Sequence, residues 1–342
     1  MTVIAPDLDQ LPVAQRILTG DRPTGALHLG HYFGTLVNRL RLQAAGHELL
    51  LLVADYQVVT DRDRPEAVAE RSLELVLDYL GCGIDPDRTV IFAHSAVPEL
   101  NQLLLPFLSL VSTAELDRNP TVKAELAVAG RSSMSGLMLT YPVHQAADIL
   151  FCKANLVPVG QDQLPHLELA RTIARRFNER YGPVFPLPQA MLGPAPLLAG
   201  LDGRKMSKSL NNTIALSAET DTVAARIRQA RTDSERFISY EPGRRPEVAN
   251  LLEIAGLCSG REPAELAAEI GDKGAVGLKE ILLDAVLTFL APIRGRRAQF
   301  SRADAAALLR QGNRQARLTA AETLDEVNAA MGLLPMRDLA AS

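Results

Sequence analysis

The sequence predicts an α/β fold: a doubly wound parallel sheet in the first half, followed by an all-helical C-terminal part. Three observations point there. The runs Arg16-Ile-Leu-Thr19, Glu48-Leu-Leu-Leu-Leu-Val-Ala54 and Thr89-Val-Ile-Phe-Ala93 alternate with amphipathic stretches of helical period. The second run is apolar almost throughout, as a strand buried on both faces of a parallel sheet would be. Beyond the Pro-rich stretch from Pro183 to Pro196 the pattern turns uniformly helical.

With 342 residues the chain has room for about two domains. The boundary falls near 195 to 215, giving residues 1–205 to the sheet domain and 206–342 to a loop and helical domain. No apolar run approaches the roughly 18 residues of a membrane span, and Pro106 interrupts the run from Leu103 to Val111. Asp7 and Asp9 occupy the place where a secretory signal carries basic residues. Three scattered cysteines, Cys82, Cys152 and Cys258, fit free thiols in a reducing compartment, so a cytoplasmic location is expected. A net charge of −4 argues against a general nucleic-acid coat protein but leaves room for a local RNA-binding patch.

The first strand runs into Thr19-Gly-Asp-Arg-Pro-Thr-Gly-Ala-Leu-His-Leu-Gly-His31, and Phe33, Leu36, Val37 and Leu40 then follow at helical spacing. A strand-loop-helix junction aims unpaired backbone N–H groups and the positive helix end at whatever lies above it, which favours phosphate. Gly20 and Gly25 have the outer spacing of a P-loop, yet Ala26 and Leu27 stand where that motif needs Lys and Ser/Thr, and no G-x-G-x-x-G is present. What remains is His28-Leu29-Gly30-His31. Its imidazoles share a face once the helix has begun, each can donate to phosphate oxygens, and Gly30 admits an adenine against the backbone. The alternatives are surface histidines or a metal pair; the Cys and His residues that would complete a zinc set are missing, so no metal is expected.

After the second strand, Val68, Leu73, Val76, Leu77 and Leu80 mark a helix from Pro65, closed by Gly81 and Gly83, and the third strand leads to a helix from Pro98 to Ser112. Lys123, in the polar stretch Asn119–Arg131, either reaches a phosphate or is solvated. In Tyr141-Pro-Val-His-Gln145-Ala-Ala-Asp148, Pro142 fits a helix's first turn. Tyr141, Gln145 and Asp148 then fall at i, i+4 and i+7 on one face, either the wall of a pocket or a solvated stripe. Leu156-Val-Pro-Val159 leads into Gly160-Gln161-Asp162-Gln163, a second strand-to-helix junction where Asp162 is an N-cap or an acceptor for ribose hydroxyls.

Lys205-Met206-Ser207-Lys208-Ser209 sits in a loop marked by Gly200 and Gly203. Two lysines and two hydroxyls can cradle a triphosphate, although K-x-x-K alone is equally solvated charge. A lysine to phosphate pair at about 4 Å is worth about 1 kcal/mol in bulk water and about 4 kcal/mol at a surface dielectric, so closing such a loop strengthens its own contacts. Helices are then expected at 218–230, 247–257, 263–270, 278–290, 293–309 and 315–331. Between 291 and 317 lie Arg294, Arg296, Arg297, Arg302, Arg310, Arg314 and Arg317 against the single acid Asp304, a basic face for RNA or a solvated helix surface.

Together, His28-Leu-Gly-His31 near the N-terminus and Lys205-Met-Ser-Lys-Ser209 resemble the His-Ile-Gly-His and Lys-Met-Ser-Lys-Ser signatures of class I aminoacyl-tRNA synthetases. Gly-Asp-Arg-Pro-Thr-Gly25, Tyr-Pro-x-x-Gln-Ala-Ala-Asp-Ile-Leu150 and Val-Pro-Val-Gly-x-Asp-Gln163 make the chain similar to bacterial tryptophanyl-tRNA synthetases of subclass Ic, over nearly its whole length. The resemblance implies a Rossmann-like catalytic domain with a helical anticodon-binding domain, and a ligase that joins L-tryptophan to tRNA(Trp) through tryptophanyl-adenylate. ATP with Mg2+ would be the co-substrate, with no tightly bound cofactor, and the enzyme would be a homodimer.

By the same resemblance Asp148 would accept the indole N–H, and Tyr141, Gln145 and Gln163 would hold the ammonium and carboxylate. Arg22, Pro23, Thr24, Gly30 and His31 would line the ATP site, with Gly160, Gln161 and Asp162 at the ribose. Lys205, Met206, Ser207, Lys208 and Ser209 would hold the triphosphate, and His28, His31, Lys123, Lys205 and Lys208 would counter developing negative charge. Arg22 and Gln145 depart from the pattern of many bacterial members, which carry Gln and Met there, and resemble a divergent subgroup sometimes found as a second copy. The competing readings are the sister tyrosyl enzyme, a nucleotidyltransferase without a tRNA substrate, and a non-catalytic RNA-binding paralogue.

Overall fold

A computed structural model describes residues 15–59, 67–123, 134–160, 163–192, 198–204, 206–207 and 210–333. Five parallel strands form one sheet in the order β3-β2-β1-β4-β5: β1 Arg16–Asp21, β2 Glu48–Val53, β3 Thr89–Ala93, β4 Leu156–Pro158 and β5 Gln189–Met191. The chain first steps outward from β1 to β3 and then returns to the other side of β1, so the strand order reverses beside β1. Ligands of open α/β sheets bind at that crevice, outside the carboxyl ends of the strands. Leu49–Val53 are all buried, as a central parallel strand requires. Gly20 pairs with Leu52, and a Cβ there would lie 2.3 Å from the Leu52 carbonyl oxygen, so only glycine fits.

The first helix begins as Leu29–His31, widens into a π-helical turn at Tyr32–Leu36 and continues as Val37–Ala44. Helices follow at Val68–Cys82 (α2), Pro98–Leu108 (α3), Thr113–Asp117 (α4), Gly136–Leu150 (α5) and Leu164–Tyr181 (α6). After the loops around residue 200 come Thr220–Arg228 (α7), Pro246–Ser259 (α8), Pro263–Ile270 (α9), Gly274–Arg297 (α10) and Arg302–Ala330 (α11). Among the described residues no helix is long and apolar enough to cross a membrane.

Four details differ from the sequence expectation. β5 lies inside the Pro-rich stretch, three residues that pair with β4 although prolines flank them. Pro142 is interior to α5, which starts at Gly136 under an Ser135 cap whose hydroxyl accepts from Met138 N. Pro292 lies inside α10, and the helices expected at 293–309 and 315–331 are replaced by one break at 298–301 and a continuous α11.

Gly312 does not end a helix. It lets α11 press on the outer strand, where a Cβ would come within 1.9 Å of the Ile91 carbonyl oxygen, and Asn313 Oδ1 accepts from Ala93 N at 2.9 Å. The last helix thus covers the open edge of the sheet.

The arginine-rich stretch is largely engaged with the first half of the chain. Arg297 pairs with Glu74 and, at 3.0 Å, with the buried Asp78, while Arg302 pairs with Glu74 and Arg317 with Glu99. Arg296 donates to the Gly81 carbonyl, and Arg294 to Ala218 and Thr220. These contacts tie the stretch to the sheet domain, so the basic residues are not distal to it; Arg296, Arg302, Arg310, Arg314 and Arg317 are exposed.

Candidate functional site

A cavity of about 500 Å³ opens at the carboxyl ends of β1 and β4, where the strand order reverses. Arg22, Thr24, His31, Tyr141, Gln145, Asp148, Gly160 and Gln163 line it, all of them residues singled out from the sequence. Pro23 is buried just behind this wall. Lys123 is exposed and does not line the cavity. Gln161, Asp162, Lys205, Lys208 and Ser209 lie outside the described residues; the N-cap of α6 falls on Gln163.

The His28–His31 segment is built as a helix start. His31 Nδ1 accepts from His28 N at 3.2 Å, and the two rings stand 3.7 Å apart, which places them on one face as their spacing implies. The distant lysine loop meets this segment. A Cβ on Gly30 would lie 3.0 Å from Met206 Sδ and 3.1 Å from the His28 ring, so a bare backbone is needed for that approach.

Residues 214–216 pair with the same turn: Leu29 N donates to Ile214 O at 3.1 Å and Leu216 N to Leu27 O at 2.8 Å. Asn212 braces the loop by accepting from Ser207 N and donating to Asp202 Oδ1. From below, the buried Asp78 of α2 accepts from Leu27 N at 2.8 Å, although burial raises its pKa.

At the floor on the β1 side, Asp21 Oδ2 accepts from Arg39 and, at 2.7 Å, from the Tyr79 hydroxyl; Arg39 is almost completely buried. Burial alone would raise the Asp21 pKa, but the Arg39 charge and hydrogen bond outweigh it and hold the carboxyl down at about 2. Asp21 and Arg39, both cavity-lining, were missed from sequence because a lone Asp in a turn and a lone Arg in a helix carry no pattern.

On the α5 side, Tyr141 bonds His166 Nε2 through its hydroxyl at 3.1 Å, and His166 contacts Asn119. Asp148 is 1% exposed. Its Oδ2 accepts from His94 Nε2 at 2.7 Å, whereas Oδ1 has no hydrogen-bond partner among the described residues. His144 turns Nε2 to Asn101 Oδ1 at 3.1 Å and leaves Nδ1 4.0 Å from Asp148 Oδ1. Burial pushes the His144 pKa down against the opposing pull of Asp148.

Tyr56 stacks on His94 and meets His144 edge-on. His94 directly follows β3, and position at a strand's carboxyl end was the one signal that pointed to it.

His94, His144 and Asp148 also bring metal-capable atoms within 4.8 Å of one another. Zinc ligands at about 2.0 Å in a tetrahedron stand about 3.3 Å apart, wider than the 2.7 Å between His94 Nε2 and Asp148 Oδ2, which is a hydrogen-bond contact. The cavity presents the His31 imidazole on the side of the first helix and the unpartnered Asp148 Oδ1 on the α5 side, while His28 and Gly30 stand outside its lining. That is a site for an anionic group beside a flat apolar molecule with one N–H.

Residues 13–291 match the family described as tRNA synthetases class I (W and Y). The chain is 44% identical over 334 residues to the tryptophan--tRNA ligase of Treponema pallidum, covering 93% of this chain and 97% of that one. It is 42% identical to the tryptophan--tRNA ligase of Streptococcus agalactiae, again over 93% of this chain and 97% of that one. Among solved structures, tryptophanyl-tRNA synthetase from Campylobacter jejuni complexed with ADP and tryptophan superposes with a TM-score of 0.83 at 30% identity, covering 93% of this chain and all of that one.

Proposed function

The chain belongs to the class I aminoacyl-tRNA synthetases of the tryptophan and tyrosine branch, and from that premise we infer that it activates L-tryptophan with ATP and transfers it to tRNA(Trp). The observation that carries the choice of tryptophan within this chain is the orphaned Asp148 Oδ1, an acceptor buried at the cavity wall and matched by an indole N–H. A site built to bond a substrate N–H rejects analogues without it by roughly 10⁴ or more, because the buried acceptor is then left unpaired. The tyrosyl, nucleotidyltransferase and non-catalytic readings give way to this one.

In the proposed mechanism Tyr141, Gln145 and Gln163 orient the ammonium and carboxylate of tryptophan. The carboxylate attacks the α-phosphate of ATP in line, and diphosphate leaves. Arg22, Pro23, Thr24, Gly30 and His31 line the nucleotide site, with Gly160, Gln161 and Asp162 at the ribose. His28, His31 and the lysines of the 205–209 loop offset the developing negative charge. Support comes from Met206, which seats that loop against Gly30 beside His28. Mg2+ enters as the counter-ion of ATP, part of the substrate and held by phosphate oxygens. The terminal ribose hydroxyl of the tRNA then attacks the adenylate. No covalent enzyme intermediate is involved.

We assign residues 1–205 to catalysis and 206–342 to the loop and tRNA-binding helices, with Arg302, Arg310, Arg314 and Arg317 as exposed cations of the last helix. A homodimer is supported by the exposed apolar side chains of Tyr56, Val59, Leu105 and Leu137 beside α3 and α5. Three free cysteines agree with a cytoplasmic location.

ATP–diphosphate exchange measured with each of the twenty amino acids tests the assignment: tryptophan alone is expected to drive it, and exchange driven by tyrosine, or by none, overturns it. Lys205→Ala and Lys208→Ala are expected to slow adenylate formation at least about a hundredfold while leaving tryptophan binding within a few-fold. Unchanged turnover in either would remove the loop from the mechanism.

A further inference from the structure

We propose that His94 is a positioning residue for tryptophan selection: it holds one oxygen of Asp148 so that the other is presented to the indole N–H. The proposal rests on the reading of Asp148 given above and adds a residue that does not line the cavity.

Three observations carry it. The bond from His94 Nε2 to Asp148 Oδ2 is 2.7 Å long between side chains that are 0% and 1% exposed, so no water competes for either partner. The other ring nitrogen, Nδ1, is buried with no hydrogen-bond partner among the described residues. A ring that donates from Nε2 and leaves Nδ1 bare is the neutral tautomer. An imidazolium would bury a second N–H with nothing to receive it. His94 therefore acts on Asp148 as a one-directional donor, which orients the carboxylate and keeps its acceptor character.

The third observation is that the ring plane is itself held. Tyr56 lies 6.2 Å away and nearly parallel, and His144 packs edge-on at 4.9 Å.

Geometry explains why the second oxygen needs this help. A carboxylate on a two-bond stem rotates, and around Asp148 the remaining polar neighbour is His144, whose Nδ1 stands 4.0 Å from Oδ1, beyond hydrogen-bond reach. Without His94 the carboxylate loses the side-chain donor on Oδ2, and among the described residues no other side chain holds Oδ1 toward the cavity.

The test measures ATP–diphosphate exchange with tryptophan and with benzothienylalanine, in which sulfur replaces the indole N–H, in three variants of the full-length chain. His94→Leu removes the donor. It is expected to raise KM for tryptophan roughly ten- to a hundredfold, with kcat within about threefold, and to leave KM for benzothienylalanine nearly unchanged, so that discrimination collapses. His94→Gln places an amide N–H near the former Nε2 and is expected to restore most of the discrimination; His94→Asn, one methylene shorter, is not.

Equal increases in KM for both substrates, or rescue by Asn as good as by Gln, would mean that His94 only fills space and would overturn the proposal. Asp148→Ala run alongside separates the two levels. If it keeps the preference for tryptophan, the reading of Asp148 fails. If it loses the preference while His94→Leu keeps it, only the role of His94 fails.

Discussion

Two carboxylates border the same cavity, Asp21 partly exposed and Asp148 fully buried, and are treated in opposite ways. Asp21, at the end of β1, accepts from the Arg39 guanidinium and the Tyr79 hydroxyl. Asp148, on α5, has a neutral imidazole on one oxygen and nothing on the other. The first is a closed account of charge: anion, cation and hydroxyl satisfy one another before any ligand arrives. The second is unfinished within the protein, and an unpaired buried acceptor of this kind costs roughly 1–3 kcal/mol until something donates to it. The difference teaches that, among acids beside a pocket, the one left incomplete is the one that meets the ligand.

The largest effect that would break this contrast is at Asp148. Asp148→Ala is expected to lower kcat/KM for tryptophan by roughly a thousandfold or more, while denaturation shows a loss of no more than about 1–3 kcal/mol, because the unpaired Oδ1 is gone but the buried His94 Nε2 loses its acceptor. A variant that melts early but keeps its kinetics would reverse the assignment. Asp21→Ala should do the opposite. It leaves Arg39 buried without its partner and is expected to cost roughly 3–5 kcal/mol in urea denaturation.

The pH dependence of stability sharpens the same point. The carboxyl of Asp21 titrates near 2 in the folded chain against a normal value of 3.8. Because its folded pKa is the lower one, its contribution is fully present above about pH 4 and lost as pH falls through 2. A shift of this size corresponds to about 2 kcal/mol. Denaturation across that window should show the loss in the parent chain and not in Asp21→Asn. The smallest expected effect is Tyr79→Phe, which removes one donor to Asp21 and should cost about 1 kcal/mol, with exchange kinetics unaffected.

How far the sequence revealed these features follows from their physics. The sheet was legible because β2 is a nearly continuous apolar run and alternates with β1, β3 and helical stretches, and the α5 wall because Tyr141, Gln145 and Asp148 repeat at helical spacing. β5 escaped because three residues between prolines carry no period of their own. Pro142 misled, and the gap expected between 309 and 315 did not appear, because a residue that disfavours a helix locally can be retained where packing decides. Pro142 is buried inside α5, and Gly312 makes room for the Ile91 carbonyl. Asp21 and Arg39 were invisible because each acts through the other, and His94 offered only its place at the end of β3; one sequence holds no record of such pairs. The arginines of α10 and α11 showed the reverse: their charge was plain, but their partners Glu74, Asp78 and Glu99 were not.

The clasp of α11 over β3 has a bearing on biogenesis. Ala93 N–H donates to Asn313, 220 residues further on, so the margin of the sheet stays bare until that residue has left the ribosome. At a synthesis rate of about 5–20 residues per second that interval is roughly ten to forty seconds. For that time the nascent protein carries an adhesive strand, and chains released before the final helix would never lose it.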